Sequence, residues 1–449
     1  MTAPPAAVTS MLLRFQATNA RSFLDPVELS LQATVMAEPG VPHLLPWRDV
    51  TKHPVRVLPA AGIFGANASG KTNLLRVMDD MRRLVLTSFK STHRNRINRR
   101  PFRLDPEAEN RPSKYGIDLI LNGIRHEYSF SVDDNHVIEE SARRYTHGKA
   151  ATIFHRSDMT VELGEGNRAK GRAVREILRP TSLFLSAAAA ADHPDLAPLY
   201  EWFESNLLLA EASSRSSRWL YTTHMLSQDE TRHRVLNMLH AADLGITSAK
   251  TEKMPPELAE RVQKVIAALN DTEGEEPFSV ELQDDSLSRI VLSHEGVHES
   301  VEFDASEESL GTLVWLGLIG PVLDALANGA VLLADELESS LHPSLVTQLV
   351  RMFQSPTSNP NGAQLIFNSH EASLLGNSVD ERVLGRDQVW FTEKLHDGRT
   401  RLYPLTDLTP RAAEAISKRY LAGRYGAVPI ISPEEFSALA ECVASGGAR

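Results

Sequence analysis

The sequence predicts an α/β protein with a mostly parallel core sheet, an antiparallel β subdomain and an inserted helical region. Three stretches predict it. The first is Gly65-Ala66-Asn67-Ala68-Ser69-Gly70-Lys71-Thr72, which fits the phosphate-binding pattern G-x-x-x-x-G-K-[ST]. An apolar strand over residues 55–64 leads into it, and Asn73-Leu74-Leu75-Arg76-Val77-Met78 opens a helix behind it. The second is Ala330-Val331-Leu332-Leu333-Ala334-Asp335-Glu336, an apolar strand ending in two carboxylates. The third is Gln364-Leu365-Ile366-Phe367-Asn368, a further buried strand that ends at Ser369-His370-Glu371. Short apolar runs bounded by loop residues are the pattern of fully buried strands.

These stretches carry one chemistry. The backbone N–H groups of Gly65, Asn67, Ala68, Ser69 and Gly70, continued by Lys71, Thr72 and Asn73 at the helix N-terminus, converge where phosphates would lie. Lys71 is expected to reach the β and γ oxygens of ATP, and the Thr72 hydroxyl to bind Mg²⁺. Asp335 is expected to hold the same Mg²⁺, and Glu336 to polarise the attacking water. His370 lies at the carboxyl end of a strand, the edge where doubly wound sheets bind ligands. A γ-phosphate contact is expected of it. Glu308-Ser309-Leu310-Gly311-Thr312 opens another helix. Read alone it is an ordinary N-cap with Ser309 as the capping residue, although a Ser and a Gly there also suit an anion.

Composition bounds the rest. A chain of 449 residues is long enough for two or three core-sized units. Its one cysteine, Cys442, excludes a disulfide framework and suits a reducing cytosol. No apolar run reaches the roughly 20 residues of a membrane span, the nearest ending at Asp324. The start of the chain lacks the charged and apolar regions of a signal peptide, so a cytoplasmic protein without a membrane partner is expected. The net charge of −11 argues against a general nucleic-acid coat.

The elements follow in order, with domains expected at 1–10 (a disordered leader), 11–172, 173–277, 278–429 and 430–449. Residues 11–17 and 27–33 alternate like two strands ahead of the P-loop. Arg82, Arg83, Lys90, Arg94, Arg96, Arg99, Arg100 and Arg103 form a basic run that reads either as a patch for phosphates or an acidic partner, or as a solvated helix end. Asn122-Gly123 joins residues 115–121 and 124–132 in a hairpin, and strands at 137–145 and 152–155 extend it into an antiparallel meander. From Ala173 to Leu269 the pattern is helical, with Leu258, Val262, Val265, Ile266 and Leu269 on one face. Residues 274–277 make an acidic linker, and 278–282 and 289–293 return as strands.

In this order the P-loop, the Ser-x-Gly helix, the Asp-Glu strand, Ser339-Ser340-Leu341-His342-Pro343 and the strand before His370 resemble ATP-binding-cassette ATPases of the SMC/RecF/OLD kind. The Asn19-Ala20-Arg21-Ser22-Phe23 segment and Arg419-Tyr420-Leu421-Ala422-Gly423-Arg424-Tyr425-Gly426-Ala427-Val428-Pro429 make the closer resemblance, to compact AAA-family ATPases of bacterial phage-defence operons, including abortive-infection, RloA-like and PARIS-type proteins. The resemblance spans about residues 11–429. It implies a head-to-head homodimer, or a higher homo-oligomer, that buries two ATP molecules. Ser309 and Gly311 would contact the γ-phosphate held by the second subunit, Ser339 to His342 would cross the interface, and Arg21 would line the nucleotide. It implies ATP hydrolysis by Lys71, Glu336 and His370, in a switch serving a separately encoded nuclease or toxin. A RecF-like DNA-repair ATPase on duplex DNA is the alternative, which leaves nucleic acid open as a partner. A Toprim nuclease of the OLD type is not expected, since Glu393, Asp397 and Asp407 form no spaced metal set. The signature reads Ser-Leu-Gly-Thr rather than Ser-Gly-Gly. A strand expected at 181–185 is followed by Ser186 and alanines, with no glutamine to form a Q-loop.

Overall fold

Alternation of apolar and polar residues makes the first layer. In the computed structural model, which describes residues 10–38, 41–48, 54–90, 96–146, 149–166, 168–210, 215–253, 288–429 and 431–444, β1 (Ser10–Thr18) buries Phe15 and Ala17 and exposes Gln16. It pairs antiparallel with β2 (Val27–Ser30). A ribbon of β3 (His43–Arg48) and β4 (Pro54–Val57) precedes β5 (Ala60–Gly65), which is buried throughout. The single strand expected over 55–64 is thus two. Pro59 has no N–H for a ladder, and the chain changes sheets there.

Helix α1 (Lys71–Thr87) packs Leu74, Leu75, Met78, Met81 and Val85 inward, and a single-turn α2 (Pro106–Glu109) is capped by Asp105. The meander follows as β6 (Ser113–Leu121), β7 (Ile124–Val132), β8 (Val137–Thr146), β9 (Lys149–Ser157) and β10 (Thr160–Leu163). Its first turn places Asn122 and Gly123 at positive φ, the two-residue hairpin geometry that Asn-Gly favours. With β1 and β2 it forms a seven-stranded antiparallel sheet in the order β10-β9-β8-β7-β6-β1-β2.

The region from 173 departs from expectation. It holds α3 (Arg168–Ile177), α4 (Phe184–Ala190) and α5 (Ala197–Ser205), then β11 (Leu207–Ala210), α6 (Arg215–Ser227), α7 (Asp229–Ala241) and β12 (Ile246–Lys253). Two strands therefore interrupt the helical stretch. The strand expected at 181–185 is not one, because Leu183 caps α4 and Phe184 and Leu185 begin it. A run of five alanines, residues 187–191, favours helix, and the Phe184 and Leu185 N–H groups both donate to the buried Glu140 carboxylate. The parallel strand beside the Asp335–Glu336 strand is β11 instead, too short and too apolar to be told from helix by pattern. The helix with Leu258 to Leu269, the linker 274–277 and the strand 278–282 lie outside the described residues, as does Arg94. Of the leader 1–10 only Ser10 is described, as the first residue of β1.

After β13 (Ser288–Glu295) and β14 (Ser300–Asp304), which form a three-stranded sheet with β12, come α8 (Leu310–Asn328), β15 (Val331–Ala334), α9 (Pro343–Gln354) and β16 (Gln364–Asn368). β17 (Val389–Lys394), β18 (Thr400–Pro404), α10 (Ile416–Leu421) and α11 (Pro433–Ala444) complete the chain. The core sheet runs β11-β15-β16-β5-β17-β18 and is parallel except at its β18 edge. Parallel pairing puts the carboxyl ends of β5, β15 and β16 on one edge, so the P-loop, Asp335–Glu336 and His370 meet there.

One apolar core lies between the two large sheets, with α1, α4 and α5; the other covers the opposite face of the core sheet beneath α7, α8, α9 and α10. Gln364 ties the sheets together, accepting from Leu12 N at 2.7 Å and donating to Leu12 O at 3.0 Å. The Arg419–Pro429 stretch is structural too: Tyr420 and Tyr425 stack on Phe391 of β17. Among the described residues α8 is the one helix long and apolar enough to cross a bilayer, longer than the run read from sequence, and 67% of its apolar window is buried in the fold.

Candidate active site at the carboxyl edge of the core sheet

The P-loop closes over the end of β5 with Ala68 at φ 61° and Gly70 at φ 106°. Two of its glycines are obligatory for space. A Cβ on Gly65 would lie 2.6 Å from Thr392 O, and one on Gly70 2.2 Å from Thr400 Oγ1. The same threonines hold the loop: Ser69 Oγ and Thr392 Oγ1 are 2.7 Å apart, and Thr400 Oγ1 donates to Ser69 O at 2.9 Å. Asn73 Nδ2 donates to Ser22 Oγ at 2.9 Å. Asn67 and Ala68 are exposed at the tip.

Lys71 is folded back on the loop, its Nζ donating to Gly65 O at 2.8 Å and Ala66 O at 3.0 Å. Burial pushes its pKa down to about 8, while Glu338, Glu336 and Asp335 act to raise it. The Thr72 hydroxyl donates to Asp335 Oδ1 at 2.8 Å. Asn368 completes this cluster: its Nδ2 donates to Asp335 Oδ1 at 2.5 Å and lies 3.3 Å from Thr72 Oγ1. Its Oδ1 accepts from the backbone N–H of Glu336, a residue held at φ 49°. The left-handed region is costly for a side-chain-bearing residue, and the Asn368 carbonyl is what pins it. Glu336 itself is exposed beside the buried Asp335.

His370 joins the same edge through its backbone N–H, which donates to Glu338 Oε1 at 2.5 Å. Burial, then the nearby Lys71 charge, lowers its ring pKa against the opposing pull of Glu338 and Glu336. Arg21, at φ 53°, sends its guanidinium to Asp80 of α1 in two bonds of 2.5 and 3.0 Å. It borders a cavity of about 790 Å³ that also takes in Ala68, Asn73, Arg100, Arg103, Lys394 and Thr400. Its lining carries five cations, Arg21, Arg99, Arg100, Arg103 and Lys394, against two acids, Glu109 and Asp134.

Among the described residues, Ser309 and Gly311 make no hydrogen bond into this cluster. Ser309 is the N-cap of α8, accepting from Thr312 N at 3.2 Å, the geometry of the ordinary reading. Gly311 abuts the loop after the acidic strand, where a Cβ would lie 2.8 Å from Ser340 O. Among the described residues no hydrogen bond ties either to the P-loop of the same chain.

Three residues of the basic run turn inward. Arg82 donates to Phe203 O, Arg83 to Asp80, and the buried Arg99 to Asp134, Glu109 O and Arg111 O. Arg96, Arg100 and Arg103 remain exposed. Asn368, Thr392, Thr400, Ser22 and Glu338 were not singled out from the sequence. Asn368 alone carries a usable signal there, as the polar residue that follows the apolar run Leu365-Ile366-Phe367.

The family model described as "AAA domain, putative AbiEii toxin, Type IV TA system" matches residues 60–376. The chain belongs to that family. The matched span runs from β5 to the turn after His370, so it contains the P-loop, the Ser309 helix, Asp335–Glu336 and Asn368. The protein is an ABC-type P-loop ATPase related to abortive-infection proteins. No curated protein matches the chain. The Smc head bound to the C-winged helix domain of ScpA is 12% identical, with a TM-score of 0.38 over 89% of this chain and 99% of that one. The Smc head domain with an extended coiled coil, bound to the C-terminal domain of ScpA derived from Pyrococcus furiosus, is also 12% identical, at a TM-score of 0.36 over 89% and 98%. Likeness of that degree carries no functional argument.

The residues of the AbiEii-type site fit Mg–ATP. Thr72 Oγ1 and Asp335 Oδ1 offer the hard oxygen donors that Mg²⁺ takes, at one point under the loop. Lys71 and the loop amides offer the positive field a triphosphate needs.

Proposed function

We propose that the protein is an ATP-driven switch, hydrolysing ATP between two head-to-head copies and regulating a separately encoded effector in bacterial anti-phage defence. The observation that carries the hydrolytic reading is the Thr72–Asp335–Asn368 cluster, with Glu336 next to it and Lys71 above it. Mg²⁺ held by Thr72 and Asp335 would supply charge neutralisation at the β and γ oxygens. Lys71 exchanges the Gly65 and Ala66 carbonyls for phosphate oxygens, and His370 contacts the γ-phosphate from the neighbouring strand. Glu336 orients the attacking water. Ser309 and Gly311 of the second copy close the site; within one chain the Ser309 side chain bonds only to Thr312 among the described residues. Most of the catalysis is positioning and electrostatics, as in phosphoryl transfer generally.

The effector role is supported by the family's toxin–antitoxin description. A DNA-loading role draws less support, because Arg82, Arg83 and Arg99 are spent inside the fold. Glu336→Gln tests the core of the proposal. It should bind ATP as the wild type does, lose at least tenfold in turnover, and form a stable dimer with ATP and Mg²⁺ in sedimentation velocity. Normal turnover in that variant would remove Glu336 as the water-orienting residue. Purifying it with ATP from its host should retain a neighbour-encoded nuclease or toxin; duplex DNA with repair proteins instead would favour the RecF-like role.

A further inference from the structure

The turn after the acidic strand is tied to the neighbouring strand β16 and its end in three places. Glu336 N donates to Asn368 Oδ1, and Leu337 N to Asn368 O at 3.4 Å. The third tie runs the other way, from His370 N to Glu338 Oε1 at 2.5 Å. The turn itself is tight. Glu336 and Ser340 stand at φ 49° and 64°, Ser339 N donates to Glu336 O at 2.8 Å, and Leu341 N to Glu338 O at 3.0 Å. These bonds fix the backbone on either side of Glu338, so its side chain reaches His370 from a set point.

His370 depends on that reach. Ser369 before it is buried, and its N–H donates to Ile63 O of the P-loop strand at 3.0 Å. His370 itself is exposed, and the bond to Glu338 is the one hydrogen bond it makes among the described residues. Its N–H meets a carboxylate, and such charge-assisted bonds are roughly twice as strong as neutral ones. The second oxygen of that carboxylate, Oε2, is buried and has no hydrogen-bond partner among the described residues. A buried carboxylate oxygen without a donor is costly, and an apolar side chain at 338 would avoid that cost. Burial lowers the pKa of both Lys71 and His370, and of the acids that oppose it Glu338 acts most strongly on each, ahead of Glu336. One carboxylate therefore acts on both residues that the ATPase reading puts on the γ-phosphate.

We propose that Glu338 is the positioning residue for His370: its Oε1 holds the His370 backbone to the turn that carries Glu336, so that the imidazole and the water-orienting acid keep a fixed spacing about the γ-phosphate. The tie needs no rearrangement to act. Fixed placement of the groups around the transferred phosphoryl is what this chemistry draws on. The inference rests on the ATPase reading and deepens it, assigning a role to an acid that neither binds the metal nor orients the water.

The test compares Glu338→Gln, Glu338→Ala, His370→Ala and the double variant Glu338→Ala/His370→Ala, with thermal melting to identify any that fails to fold. Glutamine keeps an oxygen for the His370 N–H, so Glu338→Gln should hold kcat within about threefold of wild type. Glu338→Ala should lose about tenfold or more in kcat, with the Kd for ADP, which lacks the γ-phosphate, within about twofold. In the His370→Ala background the same change should cost less than about threefold, because residues that act as one unit are not additive. The tie is also read without turnover, by NMR of protein carrying isotope-labelled histidine. The His370 amide proton, assigned by its loss in His370→Ala, should lie downfield in the wild type and move upfield in Glu338→Ala. If Glu338→Ala does not fold, Glu338→Asp, one methylene short of His370, takes its place with the same expectations. Wild-type kcat in Glu338→Ala, a loss in Glu338→Gln as deep as in Glu338→Ala, an undiminished cost in the His370→Ala background, or an unmoved amide signal overturns this inference alone. A wild-type protein with no Glu336-dependent turnover overturns both it and the proposed function.

Discussion

At the scale of single residues, burial acts on the charge of the P-loop lysine. Lys71 has its pKa pushed down to about 8 by burial, and a bound triphosphate requires the charged amine. The sign follows. Well below about pH 8 the free protein already carries the proton, so Mg–ATP affinity should be flat up to about pH 7 and about half its plateau at pH 8. Above it the proton must be taken up on binding, so affinity should fall by about tenfold per pH unit. Calorimetric titration in buffers of different ionisation enthalpy would read both the affinity and the proton. Lys71→Arg should abolish the fall, because a guanidinium stays charged; a fall that persists would place the titrating group elsewhere. Asn368 works at the same scale, with one amide serving Asp335, Thr72 and the strained Glu336 backbone at once.

At the scale of elements, the site depends on two sheets being locked in register. Gln364 does this from the first position of β16, with bonds to Leu12 N, Leu12 O and Leu58 O. Gln364→Leu would leave the Leu12 N–H buried without a partner, a cost of about 1–3 kcal/mol. Its unfolding free energy should drop by that amount in urea titration, while Mg–ATP affinity stays within twofold. An undiminished stability would show that the sheets are held by apolar packing alone. The P-loop strand β5 was legible in the sequence because its run is apolar and ends in a fingerprint. β11 was not, because four residues, Leu207–Ala210, have no period of their own. The helix α4 was misread as strand for the converse reason: an apolar start looks the same in both.

At the scale of the whole molecule, the proposed function places Ser309 of a second copy on the P-loop, and the Ser309 side chain of the same chain bonds only to Thr312 among the described residues. Ser309→Arg should bind ATP normally yet turn over at least tenfold more slowly. Losing the cap costs only about 1 kcal/mol, so the fold should survive. Mixing it with Lys71→Ala, itself inactive, should recover turnover in the heterodimer, where one composite site pairs an intact P-loop with an intact Ser309. Failure to recover would argue that Ser309 acts within one chain.

What the sequence determined by itself was the chemistry that is local along the chain: the P-loop with its flanking strand and helix, the two acids closing an apolar strand, the Asn-Gly hairpin and the N-cap at Ser309. Each depends on residues within about ten positions of one another, where backbone propensity and spacing decide. Only the tertiary structure decided what lies between distant segments. It brought Asn368 onto Thr72 and Asp335, set Thr392 and Thr400 against the P-loop glycines, and spent Arg82, Arg83 and Arg99 of the basic run on internal partners. Those contacts join positions up to about 330 residues apart. No periodicity records them, because they arise from how parallel strands share an edge and how closely glycine lets two segments approach.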